Sequence, residues 1–239
     1  MIFPNNLLYS NIFLIENHLQ TRVGSTYFYK ENFSSSISRK EQTLLIFGEY
    51  TFRNIYSIYL GIPYTFKWTE NSDTRKYLDF IRIINKFQFY WSPFYFYTGL
   101  LLDLPRKHNQ AGDVPKDFGY IEPYMGISYK KNSFSIKFSA HWNTQTNTKF
   151  KEEKNQEFVR RWFLNLSMGY FFRNWLFWIE SQYQQIYDPK ALKNNYFLYG
   201  PAFGYKTNHF EISLVYLIYP KDFLYDKEIG FQLQKFIDF

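Results

Sequence analysis

The sequence predicts an all-β chain, an antiparallel up-and-down transmembrane β-barrel of about twelve strands. Three observations point there. Aromatic residues make up 24% of the 239 residues, with 23 Tyr, 28 Phe and 6 Trp, yet the mean hydropathy is only −0.42. Segment after segment alternates apolar and polar residues, the mark of strands with two different faces. Short and long connections also alternate along the chain, as they do in a barrel that has one side of turns and one of loops. No run of 18 apolar residues occurs, so no spanning helix is expected. A closed barrel is the other fold that pairs every backbone polar group inside lipid.

The strands follow from alternation and turn residues. They are expected near residues 19–31, 42–52, 55–68, 77–91, 94–105, 119–131, 134–146, 158–172, 175–188, 195–207, 210–220 and 227–239. Most exceed the roughly 9–11 residues that a tilted strand needs to cross a bilayer. The tight connections are Arg53-Asn54, Ser92-Pro93, Asn132-Ser133, Arg173-Asn174 and Asn208-His209. Asn recurs because it tolerates the positive φ of two-residue hairpin loops. Longer polar loops are expected near 32–41, 69–76, 106–118, 147–157, 189–194 and 221–226. An even strand count that opens with a long loop puts both termini on the short-turn side.

This register tests the aromatics. On the outward face beside the short turns stand Phe52, Trp91, Phe94, Tyr129, Phe134, Phe172, Trp175, Tyr205, Phe210 and Phe239, all aromatic. Amphipathic rings favour the depth of the membrane–water interface. At the opposite edge the reading expects Trp68, Trp142, Trp162 and Tyr187.

The last strand alternates almost strictly: Ile229, Phe231, Leu233, Lys235, Ile237 and Phe239 on one face, Gln232, Gln234, Phe236 and Asp238 on the other. Alone it also fits an ordinary amphipathic edge strand. Its terminal aromatic resembles the C-terminal signal that bacterial outer-membrane barrels show to the barrel-assembly machinery. The resemblance implies Phe231, Leu233, Ile237 and Phe239 as that signal, and short turns that face the periplasm. Lys235 departs from the pattern. An outer-membrane chain needs a secretory signal, and Met1-Ile-Phe-Pro-Asn-Asn6 lacks a basic segment followed by an apolar one. The expectation is a signal already removed or a misassigned start. Residues 1–18 precede the first strand and contain Ile12-Phe-Leu-Ile15, so they are expected to cap the periplasmic mouth or plug the lumen, with 19–239 forming the barrel.

The inward face is then polar, mixed in charge and rich in Tyr. Its candidates for a solute path are Arg22, Glu49, Tyr59, Arg82, Tyr95, Tyr97, Glu122, Tyr124, Lys137, His141, Arg161, Glu180 and Glu211. Acid–base pairing among them would satisfy a buried polar interior. Some of them could instead line a narrow passage with Tyr walls.

Other chemistry finds little footing. The net charge is +7 and the pI about 9.2, but the charges are scattered, so no nucleic-acid partner is expected. There is no cysteine, and neither a metal nor a cofactor is expected. The outer-membrane phospholipase A family carries a His, a nucleophilic Ser two positions later and an Asn on a neighbouring strand, on the outer surface. Here His141-Trp-Asn143 has Asn in the place of that Ser, and the register turns His141 inward. Asp113 and His108 share a loop, where charges are usually solvated. No enzymatic constellation emerges from the sequence.

A second resemblance covers residues 45–239. Gly48-Glu-Tyr-Thr-Phe-Arg-Asn-Ile-Tyr-Ser-Ile-Tyr-Leu-Gly-Ile-Pro-Tyr64, Gly99-Leu-Leu-Leu-Asp-Leu-Pro105 and Leu198-Tyr-Gly-Pro-Ala-Phe-Gly-Tyr205 resemble the transporter-like barrel family linked to the meta-pathway of phenol degradation. It implies a barrel that passes small molecules and transfers no specific functional residue. The expected partners are the lipid bilayer, the assembly machinery and a small-molecule solute. The expected function is an outer-membrane channel. A closed barrel that binds a partner through its long loops, as a scaffold or adhesin, is the alternative.

Overall fold

The structure is a computed structural model, and it describes residues 21–32, 39–69, 75–78, 80–105, 118–147, 160–187, 195–219 and 227–237. The expected N-terminal cap, nearly all of the long loops, Trp68's side chain, Tyr187's side chain and Phe239 lie outside this description.

The strands are β1 (Arg22–Asn32), β2 (Arg39–Phe52), β3 (Tyr56–Thr69), β4 (Arg75–Leu78), β5 (Phe80–Trp91), β6 (Phe94–Pro105), β7 (Phe118–Lys131), β8 (Phe134–Asn147), β9 (Arg160–Phe172), β10 (Trp175–Tyr187), β11 (Asn195–Lys206), β12 (Phe210–Ile218) and β13 (Lys227–Phe236). β4 and β5 lie end to end along β3 and together make its one neighbour on that side. Gly61 faces Arg82 and Tyr64 faces Leu78, so one extra residue sits on the β4–β5 side, the offset of a β-bulge. Counting that pair as one stave gives the expected twelve. Every neighbour is antiparallel, and β1 pairs with both β2 and β13, from Arg22 opposite Phe236 to Glu31 opposite Lys227. The sheet is thereby a closed barrel with no free edge. β2 begins at Arg39, extending into the stretch expected to be loop.

The five short turns stand where expected, but Asn is not always the residue that bends. Arg53, Asn54, Asn132 and Arg173 have φ of 50–55°. At the fourth turn Arg173 takes the left-handed conformation, and Asn174 Nδ2 instead donates to Tyr205 Oη at 3.1 Å. At the fifth, Thr207 Oγ1 accepts from the backbone N–H groups of His209 at 3.2 Å and Phe210 at 3.1 Å. A hydroxyl thus closes a turn that the sequence reading gave to Asn208.

The two faces differ as the alternation requires. Along β12 the exposed set is Phe210, Ile212, Leu214, Tyr216 and Ile218, and the buried set is Glu211, Ser213, Val215 and Leu217. Exposed apolar side chains girdle the barrel on every side, from Ile46 and Ile62 to Phe89, Met125, Phe177 and Phe203. A soluble protein does not leave so wide a band of apolar surface in water, and a lipid-facing barrel does. At the short-turn edge Phe52, Trp91, Phe94, Phe134, Phe172, Trp175 and Phe210 are exposed, with Tyr129 and Tyr205 half-buried beside them. Neighbouring rings touch there: Phe94–Tyr129 at 5.3 Å, Trp175–Tyr205 at 5.0 Å and Tyr205–Phe210 at 6.2 Å. Arg53 and Arg173 lie over Phe52 and Phe172, the guanidinium carbons 5.2 and 5.5 Å from the ring centroids. The molecule is a transmembrane barrel of the outer-membrane type.

Candidate functional site: the lumen

The period of two that sends these aromatics to lipid sends the alternate residues inward. Arg22, Glu49, Arg82, Tyr95, Tyr97, Glu122, Tyr124, His141, Arg161, Glu180 and Glu211 are all buried in the interior, while Tyr59 and Lys137 are partly buried there. Phe231 and Leu233 of the last strand are exposed on the lipid side, with Ile237 partly buried at its end. Lys235 is exposed on that same side.

The inward residues form distinct groups. The first crosses β5 and β6, where Arg82 Nε and Nη2 donate to Asp103 Oδ1 and Oδ2, both at 2.8 Å. This bidentate pair is buried, with Arg82 only 1% exposed. The second runs across β7, β8, β9 and β10 as one chain. Asn143 Nδ2 donates to Glu122 Oε2 at 3.0 Å, and Glu122 Oε1 lies 2.8 Å from His141 Nδ1. His141 Nε2 lies 3.1 Å from Ser139 Oγ, Asn165 Nδ2 donates to Ser139 Oγ at 3.2 Å, and Gln182 Nε2 donates to Asn165 Oδ1 at 2.7 Å. Beside it Ser167 Oγ donates to Glu180 Oε2 at 2.5 Å. In a low-dielectric interior such a chain fixes each member's orientation.

A third group lies on β13, β1, β2 and β3 near the short turns. Gln232 Nε2 donates to Gln234 Oε1 at 2.7 Å, and Arg22 Nη1 donates to the same oxygen at 2.9 Å. Arg22 Nε donates to Glu49 Oε2 at 2.7 Å and Ser57 Oγ to Glu49 Oε1 at 2.6 Å. Further along the same staves, Lys30 pairs with Glu228 at 3.4 Å and Tyr219 Oη donates to Glu228 Oε2 at 2.5 Å.

Between these last two polar levels the wall is apolar. Phe28, Leu45, Leu176, Trp178, Leu198, Ala202, Val215, Leu217 and Tyr219 pack as one cluster. The sequence reading expected a polar, Tyr-rich face throughout and missed this arc. The signal was there: Tyr196-Phe-Leu-Tyr-Gly-Pro-Ala-Phe203 and Ile212-Ser-Leu-Val-Tyr-Leu-Ile218 are apolar on both parities. A strand apolar on both faces meets apolar surroundings on both.

The tyrosines lie along the wall. Tyr97 is the register partner of Gly126 and Tyr124 of Gly99, across the same β6–β7 pair. A Cβ on Gly126 would run into the Tyr97 ring, and one on Gly99 into that of Tyr124. Glycine leaves room for each ring to lie flat over the neighbouring backbone. The sequence writes this twice in the same form, Tyr97-Thr-Gly99 and Tyr124-Met-Gly126. Tyr124 also stacks on His141, with ring centroids 5.2 Å apart and 14° between planes, and Phe163 covers the other side of the imidazole region at 5.4 Å.

Among the described residues no cluster of three or more His, Cys, Asp or Glu is arranged to hold a metal. No protein-family model and no curated protein matches the sequence. Solved structures do resemble it in fold. An outer-membrane channel from Pseudomonas putida F1 superposes with a TM-score of 0.66 at 7% identity, covering 99% of this chain and 100% of that one. The NanC porin gives 0.58 at 10% identity, with 92% and 100% covered. The translocator domain of the autotransporter NalP from Neisseria meningitidis gives 0.53 at 9% identity, with 93% and 88% covered. At such identities the likeness is one of fold, and it places this chain among outer-membrane β-barrels.

Proposed function

We propose that this chain is an outer-membrane channel for small solutes, working by passive passage along the lumen. The observation that carries the reading is the uneven lumen wall: hydrogen-bonded polar side chains on β5–β10 lie across from staves β11–β13, β1 and β2, where an apolar level stands between two polar ones. A solute with both polar and apolar parts finds partners on opposite walls. The solute-path candidates named above line that interior. Of the solved structures described above, one is called a channel and one a porin, which supports the reading. The short motifs that resemble the transporter-like family of the phenol meta-pathway point the same way.

Passage would require the packed side chains to give way, with the long loops and residues 1–18 as gates. Planar-bilayer recording tests this. Discrete conductance steps, or steps that emerge once residues 1–18 are deleted, are expected. Silence from both forms, with no solute uptake into liposomes, sinks the reading.

One observation favours a second reading. Arg82 and Glu122 are each 1% exposed and fully engaged, as in a barrel filled for stability. A closed scaffold that works through its outer loops would look like this, and it would stay silent in both recordings. We also propose that Phe231, Leu233, Ile237 and Phe239 present the last strand to the barrel-assembly machinery. Replacing the terminal aromatic by Ala should slow assembly in cells while leaving refolding in detergent unchanged.

A further inference from the structure

We propose that Ser139, His141 and Glu122 form a nucleophile–base–acid triad inside the lumen that hydrolyses small esters. It rests on the preceding reading insofar as a solute must enter the barrel to reach it. The geometry has the required order: Ser139 Oγ at 3.1 Å from His141 Nε2, and His141 Nδ1 at 2.8 Å from Glu122 Oε1. These are the nucleophile–base and base–orienter hydrogen bonds of acyl-transfer enzymes, recognised by roles and not by sequence order.

The neighbours define the donors and acceptors around the three groups. Glu122 accepts, so the proton between it and His141 sits on Nδ1, and Nε2 is left as an acceptor. Asn165 Nδ2 donates to Ser139 Oγ, which leaves the Ser139 hydroxyl as a donor with two acceptors in reach, His141 Nε2 at 3.1 Å and Tyr97 Oη. Asn143 Nδ2 holds the other carboxylate oxygen of Glu122. Tyr124, stacked on the imidazole, and Phe163, 5.4 Å away, limit its rotation. Ser139 and His141 are two residues apart on β8 and so share its inward face, and Glu122 comes from the adjacent strand β7.

The opposite wall indicates the substrate class. In the closed ring β8 is the seventh stave and β1 the first, half a turn away. β1 carries Phe28 inward, and β12, two staves from β1, carries Val215 and Leu217. A short aliphatic or aromatic acyl group attached at Ser139 would reach toward an apolar surface. In the reaction Ser139 Oγ attacks the ester carbonyl carbon and its proton passes to Nε2. The carbonyl–oxygen bond to the alcohol breaks, and the leaving alkoxide takes that proton. Water then attacks the acyl-serine with Nε2 again as base, and the acid leaves as Ser139 regains its proton. Asn165 Nδ2 is the side-chain donor at hand for the oxyanion. The three groups are 1–5% exposed, which shields the proton relay from bulk water.

The test uses the full chain folded in detergent, with heat-modifiable gel mobility as the control for folding. A small alkyl fluorophosphonate is expected to add to Ser139, located by mass spectrometry, and 4-nitrophenyl acetate and butyrate to be hydrolysed above background. Ser139→Ala should abolish the adduct. Turnover in folded His141→Gln or Glu122→Gln should fall at least about a hundredfold, the latter through kcat with KM little changed. To separate access from chemistry, the same assays are run on Leu217→Ala, which trims the opposite wall. No adduct and no turnover in either folded barrel overturns the triad, as does an adduct or turnover that survives Ser139→Ala. A barrel that conducts but is never labelled sinks this inference alone. One that is labelled but never conducts sustains the triad and sinks the channel.

Discussion

On β7 and β8 the inward side chains include Glu122, Tyr124, Ser139, His141 and Asn143, and four to six of the twelve staves away, on β12 and β1, they include Val215, Leu217 and Phe28. Both walls are buried, and they are held by different physics. The apolar arc is stabilised by burial itself, which needs shape but no direction. The polar arc must return to its groups most of the hydrogen bonds lost to desolvation, so the geometry of each bonded pair is set atom by atom. Apolar walls therefore tolerate volume-conserving changes, whereas in the polar wall loss of one partner strands another.

The contrast can be broken most severely at Arg82. Arg82→Met removes the bidentate partner of buried Asp103 and should destabilise the barrel by about 3–5 kcal/mol. Urea-dependent refolding monitored by gel mobility would measure it. Adding Asp103→Leu to the same chain should recover much of that loss, and a double variant no better than the single one would refute this account of the polar wall. Next in size, Leu217→Ala on the apolar wall should cost about 2–5 kcal/mol through the cavity left. Leu217→Met should cost under about 1.5 kcal/mol, since the volume is kept. A smaller effect is expected at the Tyr–Gly joint. Gly126→Ala forces the Tyr97 ring off the wall and should cost about 1–3 kcal/mol. Tyr97→Ala in the same chain should relieve the ring's share of the clash and leave the contact with the Phe138 carbonyl oxygen, so the two changes should be partly non-additive in a double-mutant cycle. The smallest effect is expected outside. Lys235, exposed near the short-turn edge, should change stability by no more than about 1 kcal/mol when replaced by Leu, because charge close to the interface is tolerated.

The barrel was legible because its signals are local. Alternation names the two faces of each strand, turn residues mark the hairpins, and aromatics at one distance from those turns mark a membrane edge. Even so, the residue that bends was misread at Arg173-Asn174, and a Thr hydroxyl did the work given to Asn208. Such choices depend on which backbone and side-chain groups are near enough to take a hydrogen bond. The inward candidates were also legible, since parity alone turns Arg22, Arg82 or Glu180 inward. Their partners were not. Arg82 lies opposite Asp103 because β5 and β6 pair in one register, and a shift of one residue would send Asp103 into lipid. The apolar arc was not legible, because a strand apolar on both parities does not say which face meets lipid and which meets the lumen.

By itself, then, the sequence determined an amphipathic chain that alternates every two residues, turns at set places and carries aromatics at one depth. These depend on neighbours along the chain, and local sterics with membrane partitioning suffice to read them. Tertiary structure decided which inward residues meet. Glu122 sits on β7, Ser139 and His141 on β8 and Asn165 on β9, and only the pairing of those strands sets them within hydrogen-bond distance. The closure of β1 on β13 likewise decided that Phe28 and Leu217 face them across the lumen. Distances across strands are set by register and ring closure, and those are properties of the whole sheet.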